Sequence, residues 1–324
     1  MRNPAFDIMK GVGIIAMIIG HCVIPYPLYI FIFAWHMPMF FIVSGYFFRT
    51  KPIMDNFKRL MKQILVPYMV TACICVAAKL GCQTSLESHD YMTPVLSLIN
   101  GAGSKDVAMF GEYTIGAIWF LLAMFWCRFI YNALSLKVTN NIVMGGGIIL
   151  LLSITAVVSS RWLYLPTGLL QGVAAMLFFH VGVLVQKYDI LDRQRPWWYI
   201  CFALFFIASL ISGRMEMSRN LYSCIPVNVL GAVAGTFFLY KISVMLVNLK
   251  IGSTLAYIGS ISLLILCVHA IDGYFFSITT FLGEKNYPLY VDAAIVLTYR
   301  FAWVVAICWL CLKSNKVKNI FNVK

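Results

Sequence analysis

The chain has 324 residues, of which 61% are hydrophobic and only 11% are charged, and it carries a formal net charge of +13 at pH 7. Because a soluble domain carries about 25% charged residues, this composition excludes a water-soluble globule. Repeated apolar runs of about 20 residues predict a polytopic, all-α membrane protein. The basic residues fall in short loops between these runs, which indicates membrane topology rather than binding to nucleic acid.

The apolar runs predict about ten transmembrane helices, with proline and glycine in the turns between them. Their approximate ranges, in chain order, are 5–24, 28–48, 63–81, 114–134, 142–160, 168–186, 197–213, 221–246, 253–276 and 291–312. An even number of spans puts both termini on one side of the membrane. Of the 25 Lys and Arg residues, fifteen fall in loops on that side, five in the opposite loops and five inside spans. The positive-inside rule therefore places both termini in the cytoplasm.

The longest predicted loop, residues 82–113, faces outward in this topology. It carries acidic and histidine side chains among apolar residues, namely Glu87, His89, Asp90, Asp106 and Glu112. A short amphipathic helix or a lid over the outer mouth would explain its length, and a plain connector is an equal alternative. Most of the ten cysteines lie inside apolar runs, as small hydrophobic residues do. We therefore expect no structural disulfide and no metal site.

Polar side chains interrupt the first two predicted spans, where an ionisable group is costly unless it faces the protein interior. Lys10 and His21 lie eleven residues apart, which places them on one helix face about 16 Å apart along the axis. Asp7 lies one turn from Lys10, close enough for an ion pair. The second span runs inward from the outer face, and His36 lies part of the way along it. His36 can therefore meet His21 at a similar depth in the membrane. This arrangement favours a functional chamber over idle interhelical hydrogen bonds.

Other polar residues inside the predicted spans are assigned simpler roles. We interpret His180 as a residue that forms an interhelical hydrogen bond. Long cationic side chains near span ends can snorkel to the membrane interface, and this interpretation covers Lys79, Arg128, Lys241 and Arg300. Asp272, also toward a span end, is left undecided.

The chemistry of the polar residues in the first spans suggests group transfer. Histidine titrates near neutral pH, so His21 can act as a general base toward an acceptor hydroxyl. A cation on the same face, Lys10, can hold an anionic donor or a developing oxyanion. The basic loop from Arg49 to Lys62 can bind a phosphorylated cytosolic ligand. Topology and contact with anionic lipids explain that loop equally well.

The motifs around these residues resemble those of the acyltransferase-3 family of membrane acyltransferases, especially its fucose-4-O-acetylase-like branch. Lys10 and His21 match a basic residue and a histidine separated by ten positions in the family's first span, and WHMPMFFIVSGYFF, from Trp35, matches its second. Three weaker matches follow in order, KRLMKQILVPY from Lys58, AIWFLLAMF from Ala117 and LAYIGSISLLILCVHA from Leu255. One departure is Leu170, followed by Gln171, where relatives of this branch often carry an acidic residue.

The resemblance implies an enzyme that moves an acetyl or other acyl group from cytosolic acetyl-CoA (acyl-CoA), without a metal, to a hydroxyl at the outer face. The acceptor would be a cell-surface glycan or a lipid-linked sugar. By carry-over, His21 is the catalytic base, with Lys10 and Asp7 as its partners. The residues implied for the CoA phosphates are Arg49, Lys58, Arg59 and Lys62. Those implied for the substrate chamber are His36, Ser44, Trp119, Ser262 and His269.

These expectations describe a single membrane domain over residues 1–324 in the bacterial plasma (inner) membrane, with no soluble SGNH extension. The expected partners are acyl-CoA, the glycan or lipid-linked acceptor and membrane lipids, and a homo-oligomer is left open. The rival hypothesis is a glycan or lipid transporter, which would share the polar chamber but need no acyl donor. The identity of the acceptor sugar, the length of the acyl group and the choice between a covalent intermediate and direct transfer stay open.

Overall fold

The structure is a computed structural model that describes residues 3–81, 92–104, 114–137, 142–193, 195–275 and 289–323. It is 83% helical with almost no strands, which confirms the predicted all-α, polytopic class. The predicted outward loop lies only in part within this range. Its acidic and histidine residues, Glu87, His89, Asp90, Asp106 and Glu112, fall outside the described residues.

The α-helices of the described residues are numbered here in chain order. They are α1 (Pro4–Gly20), α2 (Tyr26–Phe33), α3 (His36–Tyr46), α4 (Ile53–Leu60), α5 (Val66–Gly81), α6 (Met92–Asn100), α7 (Trp119–Lys137), α8 (Ile142–Ser159), α9 (Leu169–Lys187), α10 (Pro196–Ser212), α11 (Ile225–Leu246), α12 (Lys250–Ser260), α13 (Ser262–Phe275), α14 (Leu289–Cys311) and α15 (Asn315–Ile320). A π-helical turn, Met61–Leu65, joins α4 to α5. The strands β1 (Met215–Glu216) and β2 (Leu221–Tyr222) pair antiparallel between α10 and α11.

Six helices of the described residues are long and apolar enough to cross a membrane, or seven if the bent pair α12 and α13 forms one span. Two further apolar helices, Met144–Ser159 and Pro196–Ser212, are shorter. Helices lie within each of the ten predicted ranges, but the number ten stays a prediction. The short helix α6 lies in the predicted outward loop, and the Tyr68 hydroxyl of α5 donates a hydrogen bond of 2.5 Å to the Leu98 carbonyl in it.

The first helix begins and ends at identifiable signals. The Asn3 side chain accepts a hydrogen bond of 3.0 Å from the Ala5 amide, and Pro4 occupies the first helical position, where its missing N–H costs nothing. The helix ends at Gly20, four residues before the end of the predicted span. His21 therefore lies immediately after the last helical residue rather than inside the helix, at the end opposite Lys10.

Two helix crossings depend on glycines that allow backbones to touch. α1 packs against α12, and α3 packs against α9. A Cβ at Gly259 would lie 1.8 Å from the Asp7 carbonyl oxygen, and one at Gly182 would lie 2.0 Å from the Ile42 carbonyl oxygen. Membrane helices associate through such small residues, because close packing replaces the hydrophobic driving force that water would supply. The first crossing sets the position of Asp7 and Lys10.

Replacement of Gly182 by leucine is expected to lower stability by about 1–3 kcal/mol, because the new side chain forces α3 and α9 apart. The matched control is Gly147→Leu on α8, since a Cβ at Gly147 would have no neighbour within 4 Å. Thermal unfolding in detergent measures the stability of both purified variants. Equal Tm values for the two variants would contradict the proposed backbone contact.

Helix α9 packs against α3, α7 and α8 and so ties the bundle together. The Tyr131 hydroxyl on α7 and the Nδ1 atom of His180 on α9 share a hydrogen bond of 2.8 Å, and both residues are buried. The interhelical role predicted for His180 is confirmed.

A sharp bend separates α12 from α13. The two axes differ by 68° across Ile261, whose backbone is no longer helical. Beyond the bend, α13 runs to the end of α1, where the His269 ring stacks on that of His21.

The hairpin between α10 and α11 is held on several sides. Its register pairs Met215 with Tyr222 and Glu216 with Leu221. The side-chain amide of Gln171, on α9, donates a hydrogen bond of 3.1 Å to the Ser218 carbonyl in the turn. The turn residue Asn220 has a positive φ of 49° and donates a hydrogen bond of 2.7 Å to Ser160, just beyond α8. These bonds fix the hairpin against the end of the bundle.

Candidate active site

A cavity of about 590 Å³ lies where α1 ends, and its walls come from α1, α2, α3, α7, α13, α14 and the hairpin. We call it the larger cavity. His21, His36, Trp119, Ser262 and His269 all line it. Five of the residues predicted from the sequence are therefore brought together. Ser44, the remaining residue implied for the substrate chamber, lies on α3 but lines neither this cavity nor the smaller one described below.

Two histidines form the centre of the larger cavity. The imidazole rings of His21 and His269 stack with their centroids 5.4 Å apart. His21 is exposed to the cavity, whereas His269 is buried with only 3% of its surface accessible. The sequence paired His21 with His36 instead. In the structure the Phe33 ring contacts both of those imidazoles, at centroid distances of 6.2 Å and 4.9 Å.

A carboxylate and a guanidinium extend this pair into a polar network. Asp272 lies one turn after His269 on α13, and its Oδ2 atom is 3.4 Å from the His269 Nδ1 atom. The same Oδ2 atom is 3.6 Å from the Nε atom of Arg300 on α14. Arg300 also donates a hydrogen bond of 2.5 Å from Nη1 to the His21 carbonyl oxygen. A cation is well placed there, because a helix end leaves carbonyl groups without partners in the helix and carries partial negative charge.

Arg300 and Asp272 are the site residues that sequence reasoning missed. The prediction that Arg300 snorkels to the interface is wrong, since its side chain is 16% accessible and lies between His21 and Asp272. The spacing of three residues between His269 and Asp272 is a signal that could have placed them on one face. No local pattern connects Arg300 with His21, which is 279 residues away.

His36 has a defined orientation in the cavity wall. Its Nδ1 atom lies 2.8 Å from the Ile32 carbonyl oxygen. A carbonyl only accepts hydrogen bonds, so Nδ1 carries the proton and Nε2 is left as the acceptor of a neutral ring. His36, the first residue of α3, is therefore held by the end of α2 rather than by the histidine pair.

A second cavity of about 290 Å³, the smaller cavity, lies beside the first turns of α1. Its polar lining consists of Asn3, Asp7, Lys10, Ser260 and Asn322. The predicted ion pair is present, with 2.7 Å between Lys10 Nζ and Asp7 Oδ1. Among the described residues, none lines both cavities. The single chamber expected to hold both Lys10 and His21 is therefore two cavities at opposite ends of one helix.

The partition between the two cavities is thin. Lys10 lines the smaller cavity, while Ile14 and Met17 line the larger one. Four residues of α-helix separate Lys10 from Ile14, which corresponds to about 6 Å along the axis. The side chains at this level of α1 are apolar.

The cations predicted to bind CoA phosphates lie elsewhere on the surface. The four residues Arg49, Lys58, Arg59 and Lys62 are exposed, and they line neither of the two cavities described above. Arg49 donates to the Phe48 carbonyl and the Gln186 side chain, and Arg59 donates to Gln63. Their predicted role stays a prediction.

A further polar cluster, built around Glu216, lies on the hairpin side of the larger cavity. The Glu216 carboxylate binds the Arg214 guanidinium, accepts a hydrogen bond of 3.0 Å from Ser218 Oγ and lies 3.5 Å from the Tyr29 hydroxyl. Partial burial lowers the pKa of Arg214, but Glu216 and Tyr29 outweigh that effect and the pKa is raised above its ordinary value. Arg214 is therefore a permanent cation beside this carboxylate.

The fold and the site together define a multi-pass membrane protein with a histidine pair, a carboxylate and a guanidinium around one internal cavity. The family model described as an acyltransferase domain matches residues 3–313, which is essentially the whole chain. The chain belongs to the acyltransferase-3 family and is a membrane acyltransferase. No curated protein matches it. Membership in the fucose-4-O-acetylase-like branch stays a prediction.

Proposed function

We propose that the protein transfers an acetyl group from cytosolic acetyl-CoA to a hydroxyl of a cell-surface glycan or its lipid-linked precursor, in the bacterial plasma membrane. The observation that carries the proposal is the position of His21, exposed in the larger cavity and stacked on His269. The transporter alternative is not favoured, because the family is one of acyltransferases.

In the proposed reaction, neutral His21 removes the proton from the acceptor hydroxyl as its oxygen attacks the thioester carbonyl. A tetrahedral oxyanion forms and then collapses, which breaks the C–S bond and releases the CoA thiolate. The proton held by His21 passes to that thiolate, so an ester and a free thiol are the products. Arg300 holds the His21 backbone and Asp272 in place, while Asp272 offsets the positive charge that the histidine pair gains.

We assign the acetyl-CoA donor to the side of the protein on which the smaller cavity lies. Lys10, held by Asp7 at its edge, supplies a cation for a CoA phosphate. The exposed cations Arg49, Lys58, Arg59 and Lys62 are the proposed contacts for the remaining phosphates. The thioester would then need to cross only the apolar partition next to Ile14 to reach the larger cavity.

The test uses cells that lack the gene, cells that carry it and purified protein in lipid vesicles. We expect base-labile acetyl esters on surface glycans or lipid-linked sugars only when the gene is present, measured by mass spectrometry. Purified protein is expected to release CoA from acetyl-CoA when an extract of those sugars is added. Unchanged ester content, together with altered movement of the unmodified sugar across vesicles, would contradict the proposal and indicate transport.

A further inference from the structure

The larger cavity carries polar groups at two separate places, and the reaction proposed above uses only one of them. His21, His269, Asp272 and Arg300 form the first group. The second group, the Glu216 cluster, consists of Glu216, Tyr29 and Ser218, all of which line the cavity. Aromatic side chains, including Phe33, Phe40 and Trp119, also line the cavity. A carboxylate in such surroundings requires an explanation, because burial of a charge is unfavourable without partners.

The ion pair with Arg214 explains part of the position of Glu216. A carboxylate offers about four positions for hydrogen-bond donors, and Arg214 and Ser218 occupy one on each oxygen. Tyr29, at 3.5 Å, and the Arg219 guanidinium, at 3.8 Å, make only long contacts with Oε2. Capacity therefore remains for a hydroxyl that enters from the cavity. The Tyr29 and Ser218 hydroxyls can each also accept a hydrogen bond from such a ligand.

The cluster is also held rigidly, as a binding subsite requires. The strand pairing fixes Glu216 opposite Leu221. Gln171, on α9, and Ser160, just beyond α8, hold the turn from two sides. Tyr29 approaches from α2, so the cluster joins two elements that are 187 residues apart in sequence. A surface ion pair that only closed the hairpin would not need the hydroxyl of α2.

We propose that Glu216, together with Tyr29 and Ser218, binds the hydroxyl groups of the acceptor that are not acylated. This inference rests on the proposed acyl transfer and adds to it the residues that bind the acceptor. The acceptor is a polyhydroxylated ring that presents one hydroxyl to His21 while its other hydroxyls bind the Glu216 cluster. A simple alcohol would bind at the histidine end alone and would gain nothing from Glu216.

The test is direct binding, measured by saturation-transfer difference NMR on the protein in lipid nanodiscs without acyl-CoA. The probes are methyl glucoside, methyl galactoside and methyl mannoside, and cyclohexanol is the comparison because it has a six-membered ring with one hydroxyl. We expect at least one hexoside to bind wild-type protein more tightly than cyclohexanol. Glu216→Gln is expected to weaken that binding roughly tenfold, as loss of a hydrogen bond to a charged group does.

Two further variants separate binding from folding. Asp189→Asn is the matched control, since it makes the same carboxylate-to-amide change at an exposed residue outside both cavities, and we expect unchanged hexoside binding. Tyr29→Phe removes one hydroxyl without touching the hairpin ion pairs, and we expect weaker hexoside binding with an unchanged Tm. If Glu216→Gln does not fold, Tyr29→Phe decides the question alone.

The inference is overturned if no hexoside binds, if cyclohexanol binds as well as the hexosides, or if the Glu216→Gln and Tyr29→Phe variants both bind like wild type. Failure of this inference and failure of the proposed function give different results. Hexoside binding that depends on Glu216, without any acyl-CoA-dependent acylation, would support the subsite and contradict the reaction. Acylation of a hexoside with no dependence on Glu216 would support the reaction and contradict the subsite.

Discussion

Replacement of His21 by alanine is expected to reduce acyl transfer by a factor of about 10²–10⁴, the range that a positioned general base contributes. Of the two stacked histidines, His21 is the one exposed to the larger cavity, so this substitution removes the imidazole proposed to take the proton from the acceptor. The measurement is the initial rate of ester formation by purified protein with acetyl-CoA and the native sugar extract. Because His21 follows the last residue of α1 and lies in an open cavity, we expect a Tm close to that of wild type.

The matched control for this variant is His180→Gln. His180 is also a histidine inside the bundle, but it binds Tyr131 between α7 and α9 and does not line the larger cavity. We expect this variant to retain activity in proportion to its folded fraction. Ester formation by His21→Ala at the wild-type rate would disprove the proposed mechanism.

Replacement of Arg300 by lysine is expected to lower kcat by about one to two orders of magnitude, with little change in the KM for acetyl-CoA. We treat Arg300 as a positioning residue, because it acts on His21 through the backbone carbonyl and on His269 through Asp272. A guanidinium can make both contacts at once through a fixed fork of N–H groups, whereas an ammonium is a single point charge. Steady-state kinetics on the purified variant separates kcat from KM.

A merely structural role for Arg300 is tested with two additional variants. If Arg300 acts through Asp272, the losses in kcat for Arg300→Lys and Asp272→Asn should be strongly non-additive in the double variant. Arg193→Lys is the matched control at an exposed position, and we expect wild-type kinetics from it. Additive losses would show that Arg300 does not act through Asp272. A lower Tm with unchanged kcat would show that Arg300 only stabilises the fold.

Periodicity predicted the local geometry of the first two spans well. The spacing of Asp7 and Lys10 predicted their ion pair, which is present, and His36 lines the same cavity as His21, while its role toward the substrate stays a prediction. The end of α1 was harder to predict, because an apolar run continues beyond Gly20 and the terminating turn leaves little trace in hydropathy. That difference of four residues changes His21 from a side chain on a helix face to a side chain at the floor of a cavity.

The rest of the site depends on contacts that hydropathy does not encode. An arginine near the end of an apolar run has the same sequence signature whether it snorkels or turns inward, so Arg300 could be located only from the packing of α14 against α13. Glu216 lies in a short segment between spans, where no helical or strand period is long enough to detect. The crossing of α12 over α1 at Gly259, beside the smaller cavity, is likewise a property of two distant segments.

The thin partition beside Ile14 has an electrical consequence. If aqueous cavities enter from both faces, the transmembrane voltage falls mainly across the stretch that excludes water, here about 6 Å of α1. A phosphate driven through that stretch would do work against a concentrated field as well as against dehydration. An acetyl thioester carries no net charge, so its passage from one cavity to the other is electrically silent. If the donor binds as proposed, its phosphates stay on one side of this stretch, and only the uncharged thioester end has to cross it.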